Sequence, residues 1–333
     1  MKPTKFRFLT DKEKKELLLL KITKKDIADN FTLTSKEIKY IEKLKKSYLK
    51  LGYALQYLLL KNFGRQLDNN IPLPILSYVG EQLKIQEYDL ESYLNNNVTR
   101  KRYFIEIYNI LEFSRFKMNN QIEKIAENIA FSSSNTLEFA FLFLNELKKM
   151  KIIAPRISTI EDILLKAWIK VEKNIYEKIL QQFKDKKRLE ILLENNSNSE
   201  STFSRLKNTS VNISSSGTKE LLSNIRFIDE INCNCDLSFL SEAKILYFLT
   251  EIQKSDKFRI QRFADENKKY AYLAMFLYFR RQHFVDMVIE VTSNYAHKIL
   301  KRSRKKTQKH NAVNFQNYRN NSNRLKNILK DII

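Results

Sequence analysis

Apolar residues recur every three to four positions along most of the chain, while the strict alternation of a half-buried strand is scarce. After Thr34, the residues Ile38, Ile41, Leu44 and Tyr48 share one helical face, and Lys39, Lys43, Lys46 and Lys50 share the other. Leu51 to Phe63 is nearly all apolar, which predicts a buried central helix, and Gly64 stands where a helix C-cap belongs. Pro72 and Pro74 open a helix to about Gln82. A turn at Lys84–Gln86 then leads to a short helix near Tyr88–Leu94, a pair that fits a helix-turn-helix or an ordinary helical hairpin. Further helices are expected after Thr99–Arg102 to about Phe113, near 120–130 and 135–150, and from Ser158 to about Glu194. Others follow near Lys219–Ile231, Phe239–Gln253 and 265–306, then a basic tail with a last short helix near 322–333. Four segments carry the reciprocal capping pattern at a helix start: Thr10–Glu13, Thr34–Glu37, Asn135–Glu138 and Ser158–Glu161. Asn195–Gly217 is rich in Ser and Asn without periodicity and reads as a long loop. There is no internal repeat and no sustained heptad. The expected class is all-α and multi-helical: two helical subdomains, a long C-terminal helix and a basic tail.

Charge changes this picture most. The chain holds 60 Lys and Arg against 38 Asp and Glu, a formal net charge of +22, in 333 residues. The ends hold most of it: residues 1–50 carry a net +8 and residues 298–333 a net +10. Such an excess repels itself unless a polyanion neutralises it, and nucleic acid is the commonest such partner. An anionic membrane is the competitor, but it requires an apolar face to insert. The longest apolar runs, Phe139–Leu144 and Ala271–Phe279, fall well short of the roughly 18 residues that a span requires. Leu17–Leu20 is too short for a signal-peptide core, so a cytoplasmic, nucleoid-associated protein without membrane contact is expected.

Composition also excludes several kinds of chemistry. Four glycines are too few for the turns and phosphate loops of a doubly wound α/β enzyme. Cys233 and Cys235 are read as free thiols, and with His283, His297 and His310 they form no metal-ligand pattern. No phosphate-binding loop, nucleophile elbow or carboxylate-bearing sheet is evident. No catalytic residue, metal or cofactor is therefore assigned, and the polypeptide by itself is expected not to be an enzyme.

Candidate binding residues are cationic. Lys298, Lys301, Arg302, Arg304, Lys305, Lys306 and Lys309 crowd a helix end with no acid among them, which favours a phosphate-contacting segment over a merely solvated face. Arg280 and Arg281 interrupt the apolar stripe Leu273, Leu277, Phe284, Val288, Val291 and Tyr295. They read equally as a snorkelling pair that finds Asp286 or Glu290, or as a phosphate or interdomain clamp. Arg100, Lys101 and Arg102 precede an amphipathic helix. Trp168, beside Leu164, Leu165 and Ile169, is expected in the core.

Several blocks resemble the N-terminal region of Tn3-family transposases, a DUF4158-like domain: Phe8–Glu13, Leu51–Arg65, Tyr78–Leu83, Thr99–Arg102 and Ile153–Glu161. Tyr272–Leu277 with Arg280, Arg281 and Asp286 is similar to the segment before that family's scaffold region. The resemblance implies a helical DNA-binding assembly that recognises the terminal inverted repeats of a transposon. The family's catalytic core, with its carboxylate triad, would lie beyond Ile333, in a truncated gene, a fragment or a separately encoded half. It implies a DNA-binding domain over 1–155, a second helical domain over 156–310, and the start of a scaffold region or tail over 311–333. Double-stranded DNA is the expected partner, with full-length transposase or a second copy as others. Arg65, Arg100, Lys101, Arg102 and the 298–309 cluster are the expected phosphate contacts. The alternative function is a regulatory or inhibitory helical protein that pairs with full-length transposase.

Overall fold

A computed structural model describes residues 8–17, 23–195, 200–209, 212, 214–231 and 235–332, with side chains to residue 327. The described residues form helices and no β-strand; two isolated bridges, Ser114 with Ile152 and Asn195 with Ser201, are the only ladder-type pairs among them. The chain divides into two compact units. The first comprises residues to Ile175 together with Ser238–Phe248, and the second comprises Tyr176–Leu237 and Leu249–Ile333.

In chain order the helices are α1 (Asp11–Leu17), α2 (Lys24–Phe31), α3 (Ser35–Ile41), α4 (Ser47–Phe63) and α5 (Leu73–Gln82). There follow α6 (Leu90–Asn95), α7 (Asn97–Ile110), α8 (Asn120–Ser132), α9 (Thr136–Lys149) and α10 (Ile157–Leu180). A 3-10 helix (Lys186–Leu193) precedes α11 (Thr202–Asn208), α12 (Ser215–Glu230), α13 (Glu242–Lys254), α14 (Lys257–Gln261) and α15 (Glu266–Ile332).

The centre of the first unit is α4. Leu51, Leu55, Leu58 and Leu60 are fully buried, each contributing about 1.5–3 kcal/mol relative to exposure. Gly64 ends the helix as expected, at φ 64°, with its N–H donating to the Leu60 carbonyl at 2.9 Å and the Arg65 N–H to Leu59 at 3.3 Å. Gly52 serves a different purpose. A Cβ there would lie 2.1 Å from the Tyr93 ring, so only glycine allows α6 to close on α4. Gly80 likewise receives the Tyr88 ring, against which a Cβ would stand 2.2 Å away.

Two of the expected capping boxes form reciprocally, at Thr10 with Glu13 and at Thr34 with Glu37. Thr23 and Asp26 form another that the sequence pattern did not single out. Asn135 caps α9, but Glu138 turns to Ser134 instead, accepting from its N–H at 2.8 Å and its hydroxyl at 2.6 Å. The box expected at Ser158 does not form. The helix already begins at Ile157, and Glu161 accepts from the Leu9 N–H at 3.3 Å and pairs with Lys14 at 2.9 Å.

Trp168 is in the core as expected, with its ring against Phe8, Phe139 and Tyr247. Over that ring, at 3.5 Å from its centre, lies the ammonium of Lys244, which is fully buried and donates to the Ala130 carbonyl at 2.9 Å. Burial pushes its pKa down to about 8 against the pull of Glu172. Glu172 itself accepts from Trp168 Nε1 at 2.9 Å and the Tyr247 hydroxyl at 2.8 Å.

The second unit packs α12 on α15, with Leu221 and Ile228 buried and the Phe203 and Phe276 rings 4.1 Å apart. The segment read as a long loop contains α11, whose Phe203 and Leu206 are buried; apolar residues too few to show a period are enough to seat two turns of helix. The helical run expected from Ser158 to Glu194 ends at Leu180 and resumes as the 3-10 helix. Cys235 is a buried thiol whose pKa burial pushes up to about 12; Cys233 lies outside the described residues. The C-terminal region differs most from expectation. Instead of a helix to about 306, a tail and a short helix, α15 is one helix of 67 residues, about 100 Å long.

Candidate nucleic-acid interface

The basic residues of α15 fall into register. Lys298, Arg302, Lys305 and Lys309 stand at i, i+4, i+7 and i+11, a single stripe about 16 Å long, with Lys301 and Lys306 flanking it. Only Arg304 departs from that face. All seven are exposed, and none makes an ion pair or side-chain hydrogen bond among the described residues. The opposite side of the same helix carries Ile289, Leu300, Tyr318 and Leu325, all exposed. The helix therefore presents a cationic face and an apolar face, both to solvent.

Arg280 and Arg281 do not act as a pair. Arg281 Nε donates to Asp229 Oδ1 at 2.7 Å, which also holds its guanidinium in the charged form. Neither Asp286 nor Glu290 is its partner. Arg280 lies over the Phe284 ring at 4.5 Å, and its buried Nε and Nη2 have no hydrogen-bond partner. That desolvation lowers its pKa; the pKa of His283 is lowered by its own burial first and by the Arg280 charge second.

Three of the remaining candidates meet at one cleft of the first unit. The loop after α4, the start of α7 and the entry to α10 enclose a cavity of about 520 Å³. Arg65, Arg100, Lys101 and Arg156 line it, against the single carboxylate of Asp68. The first two are committed to backbone: Arg65 Nη1 donates to the Leu17 carbonyl, and Arg100 Nη2 to the Leu67 carbonyl at 2.8 Å. Asp68 lies 3.8 Å from Arg65 Nη2, too far to offset desolvation, and the Arg65 pKa is lowered. Arg100 Nε is buried without a partner. Lys101 and Arg156 are exposed and unpaired. Arg102, their neighbour in sequence, is elsewhere, 5.0 Å over the Tyr103 ring. Arg156 escaped sequence reasoning as a site residue; its one signal is its place directly after Pro155, where the chain turns into α10.

No described helix is long and apolar enough to cross a membrane, and no group of three or more His, Cys, Asp or Glu among the described residues is placed to hold a metal ion.

Residues 8–167 match the family model described as a domain of unknown function, DUF4158. The chain is 21% identical over 285 residues to the transposase for transposon Tn1546 of Enterococcus faecium, a match covering 83% of this chain and 29% of that protein. It is 22% identical over 187 residues to the transposase for transposon Tn501 of Pseudomonas aeruginosa (55% of this chain, 19% of that one). The transposase for transposon Tn3926 of Escherichia coli is 23% identical over 172 residues, 50% of this chain and 17% of the relative. The N-terminal part of this chain is a transposase-like region. The chain spans less than a third of the length of each of these relatives. The transposase-like region contains the whole of the cationic cleft, and the most extensive of the three matches is too long to be confined to it.

Proposed function

We propose that this chain holds double-stranded DNA, as a non-catalytic part of a transposase-like protein that recognises the terminal inverted repeats of its element. The observation that carries the reading is the unpaired cationic face of α15. A helical face with that many like charges and no acid between Lys298 and Lys309 is neutralised from outside, and a duplex supplies closely spaced phosphates. Contacts of this kind set affinity and orientation, whereas base-edge contacts choose sequence. The likeness to transposases of three transposons supports a transposase-related role, for which DNA is the substrate proposed here.

The test is a titration of the full chain with a terminal-repeat duplex and with a scrambled duplex over a range of salt. Preference for the repeat, with affinity falling steeply as salt rises, is expected. Equal affinity for both duplexes would remove repeat recognition, and salt-independent binding would remove the electrostatic grip altogether.

One observation favours a second reading. The exposed apolar side of α15, with Leu300, Tyr318 and Leu325, suits a partner helix, as in a regulatory protein that pairs with full-length transposase. Co-purification with such a partner in the absence of DNA is its test.

A further inference from the structure

We infer that the cleft of the first unit is a seat for one nucleotide, with Lys101 and Arg156 contacting its phosphate and Arg65 and Arg100 acting as positioning residues. The cleft is cationic beyond its own needs. It gathers four cations around one carboxylate, and two of those cations are partly or largely desolvated. Burying guanidinium groups without counter-charge is costly, so the arrangement is stabilised by an anion that enters. Two of the cations stand at the start of α7, where the helix dipole is already positive and like charge opposes helix stability. Arg100 offsets part of that cost through its bond to the Leu67 carbonyl, Lys101 has no such partner among the described residues, and a bound phosphate gains from both.

The division of labour follows from the hydrogen bonds. Arg65 and Arg100 spend donors on the Leu17 and Leu67 carbonyls, which fixes the loop wall, while Lys101 and Arg156 keep every donor free. The same cleft is also lined by the apolar residues Leu9, Leu144, Ile157 and Ile160. A duplex backbone offers only phosphates and sugars to such a surface. An unstacked nucleotide offers a phosphate to the cations and a base to the apolar residues, and the volume accommodates one.

This inference takes its ligand class from the nucleic-acid reading above but is tested apart from it. The full chain is titrated with a fluorescent mononucleotide, with inorganic phosphate and an unlabelled mononucleotide as competitors. The Lys101→Gln/Arg156→Gln variant changes only exposed side chains and is expected to weaken binding by about 10- to 100-fold, the loss of two charge-assisted contacts. Replacing Lys124 and Lys173, exposed and outside the cleft, by Gln is expected to leave mononucleotide binding unchanged, while replacing Arg302, Arg304, Lys305 and Lys306 by Ala tests the duplex separately. The inference is overturned if the wild-type chain does not bind the mononucleotide, if the cleft variant binds it as tightly, or if inorganic phosphate competes equally well. A duplex with a single-stranded overhang that competes better than its blunt form assigns the seat to a strand end; equal competition assigns it to free nucleotide, and both uphold the seat. Loss of duplex affinity in the α15 variant alone concerns the proposed function and leaves this inference standing.

Discussion

The helix α4 and the second half of α15 have the same backbone and opposite fates. Around α4 the apolar residues occupy nearly the whole circumference, and the helix is enclosed on all sides, down to glycine where an aromatic ring must touch it. Beyond about residue 296, α15 is exposed at almost every described position, and its charges find no partner among the described residues. Packing accounts for the first helix. For the second, almost no described side chain is buried, so its purpose is to be read in what it presents to solvent.

The largest expected effect tests the exposed helix. Replacing Arg302, Arg304, Lys305 and Lys306 together by Ala should weaken duplex binding by about 10³-fold near 0.1 M salt and flatten the log–log salt dependence by about 3 to 4. The melting temperature should hardly move, because these side chains are exposed and make no ion pair or hydrogen bond among the described residues. If stability collapses instead, the stripe belongs to the fold and the contrast with α4 fails. If only one duplex sequence is affected, these are base contacts.

The converse test is Gly52→Ala. The added methyl meets the Tyr93 ring, and overpacking at a fully buried site should cost upwards of about 3 kcal/mol in denaturant unfolding. Duplex affinity of the fraction still folded should be retained. Gly64→Ala, strained by its positive φ but with a lesser contact to Lys148, should cost about 1–2 kcal/mol. Equal costs at the two positions would mean that the close approach of α6 is not what glycine at 52 serves.

These two helices also mark what was legible in the sequence. The limits of α4 could be read because a continuous apolar run and a glycine are local signals that the core does not contradict. The length of α15 was legible in a weaker sense: no Gly or Pro occurs between Glu266 and Ile332, yet a run of like charge resembles a helix end and hid the continuation. The cleft was legible only in fragments. Arg65 sits beside a capping glycine and Arg100 beside Lys101, but what each does is set by carbonyls at Leu17 and Leu67, distant in sequence. Arg156 joins them only through the tertiary fold. The absent box at Ser158 has the same cause, since Glu161 is claimed by Leu9 and Lys14.

A third prediction concerns the buried cation of the first unit, which contrasts with the solvated ones of α15. Lys244→Met keeps the volume and removes the charge. In the folded protein Lys244 loses its proton near pH 8, whereas unfolded it does so near about 10.4, so the unfolded chain binds the extra proton between those values. Wild-type stability should therefore rise relative to the Met variant as pH increases from about 8 to 10, by up to about 3 kcal/mol. A flat difference would mean that the Trp168 ring and the Ala130 carbonyl fully replace the water that Lys244 has lost.

The smallest expected effects come from the two adjacent arginines of α15, which divide buried from exposed charge within one turn. Arg281→Gln breaks a half-exposed pair with Asp229, worth no more than about 0.2–1 kcal/mol in thermal unfolding and less at high salt. Arg280→Met removes a guanidinium whose buried Nε and Nη2 bond to nothing, and keeps an apolar stem over Phe284. Because an unpaired buried charge costs what a methionine does not, this variant should be neutral or slightly more stable. A loss above about 1 kcal/mol would show that the Arg280 charge is compensated in the folded chain after all. The pair thereby asks whether pairing decides the value of a cation in this helix: if it does, the paired Arg281 is the more costly of the two to remove, and a larger loss at Arg280 would sink that rule.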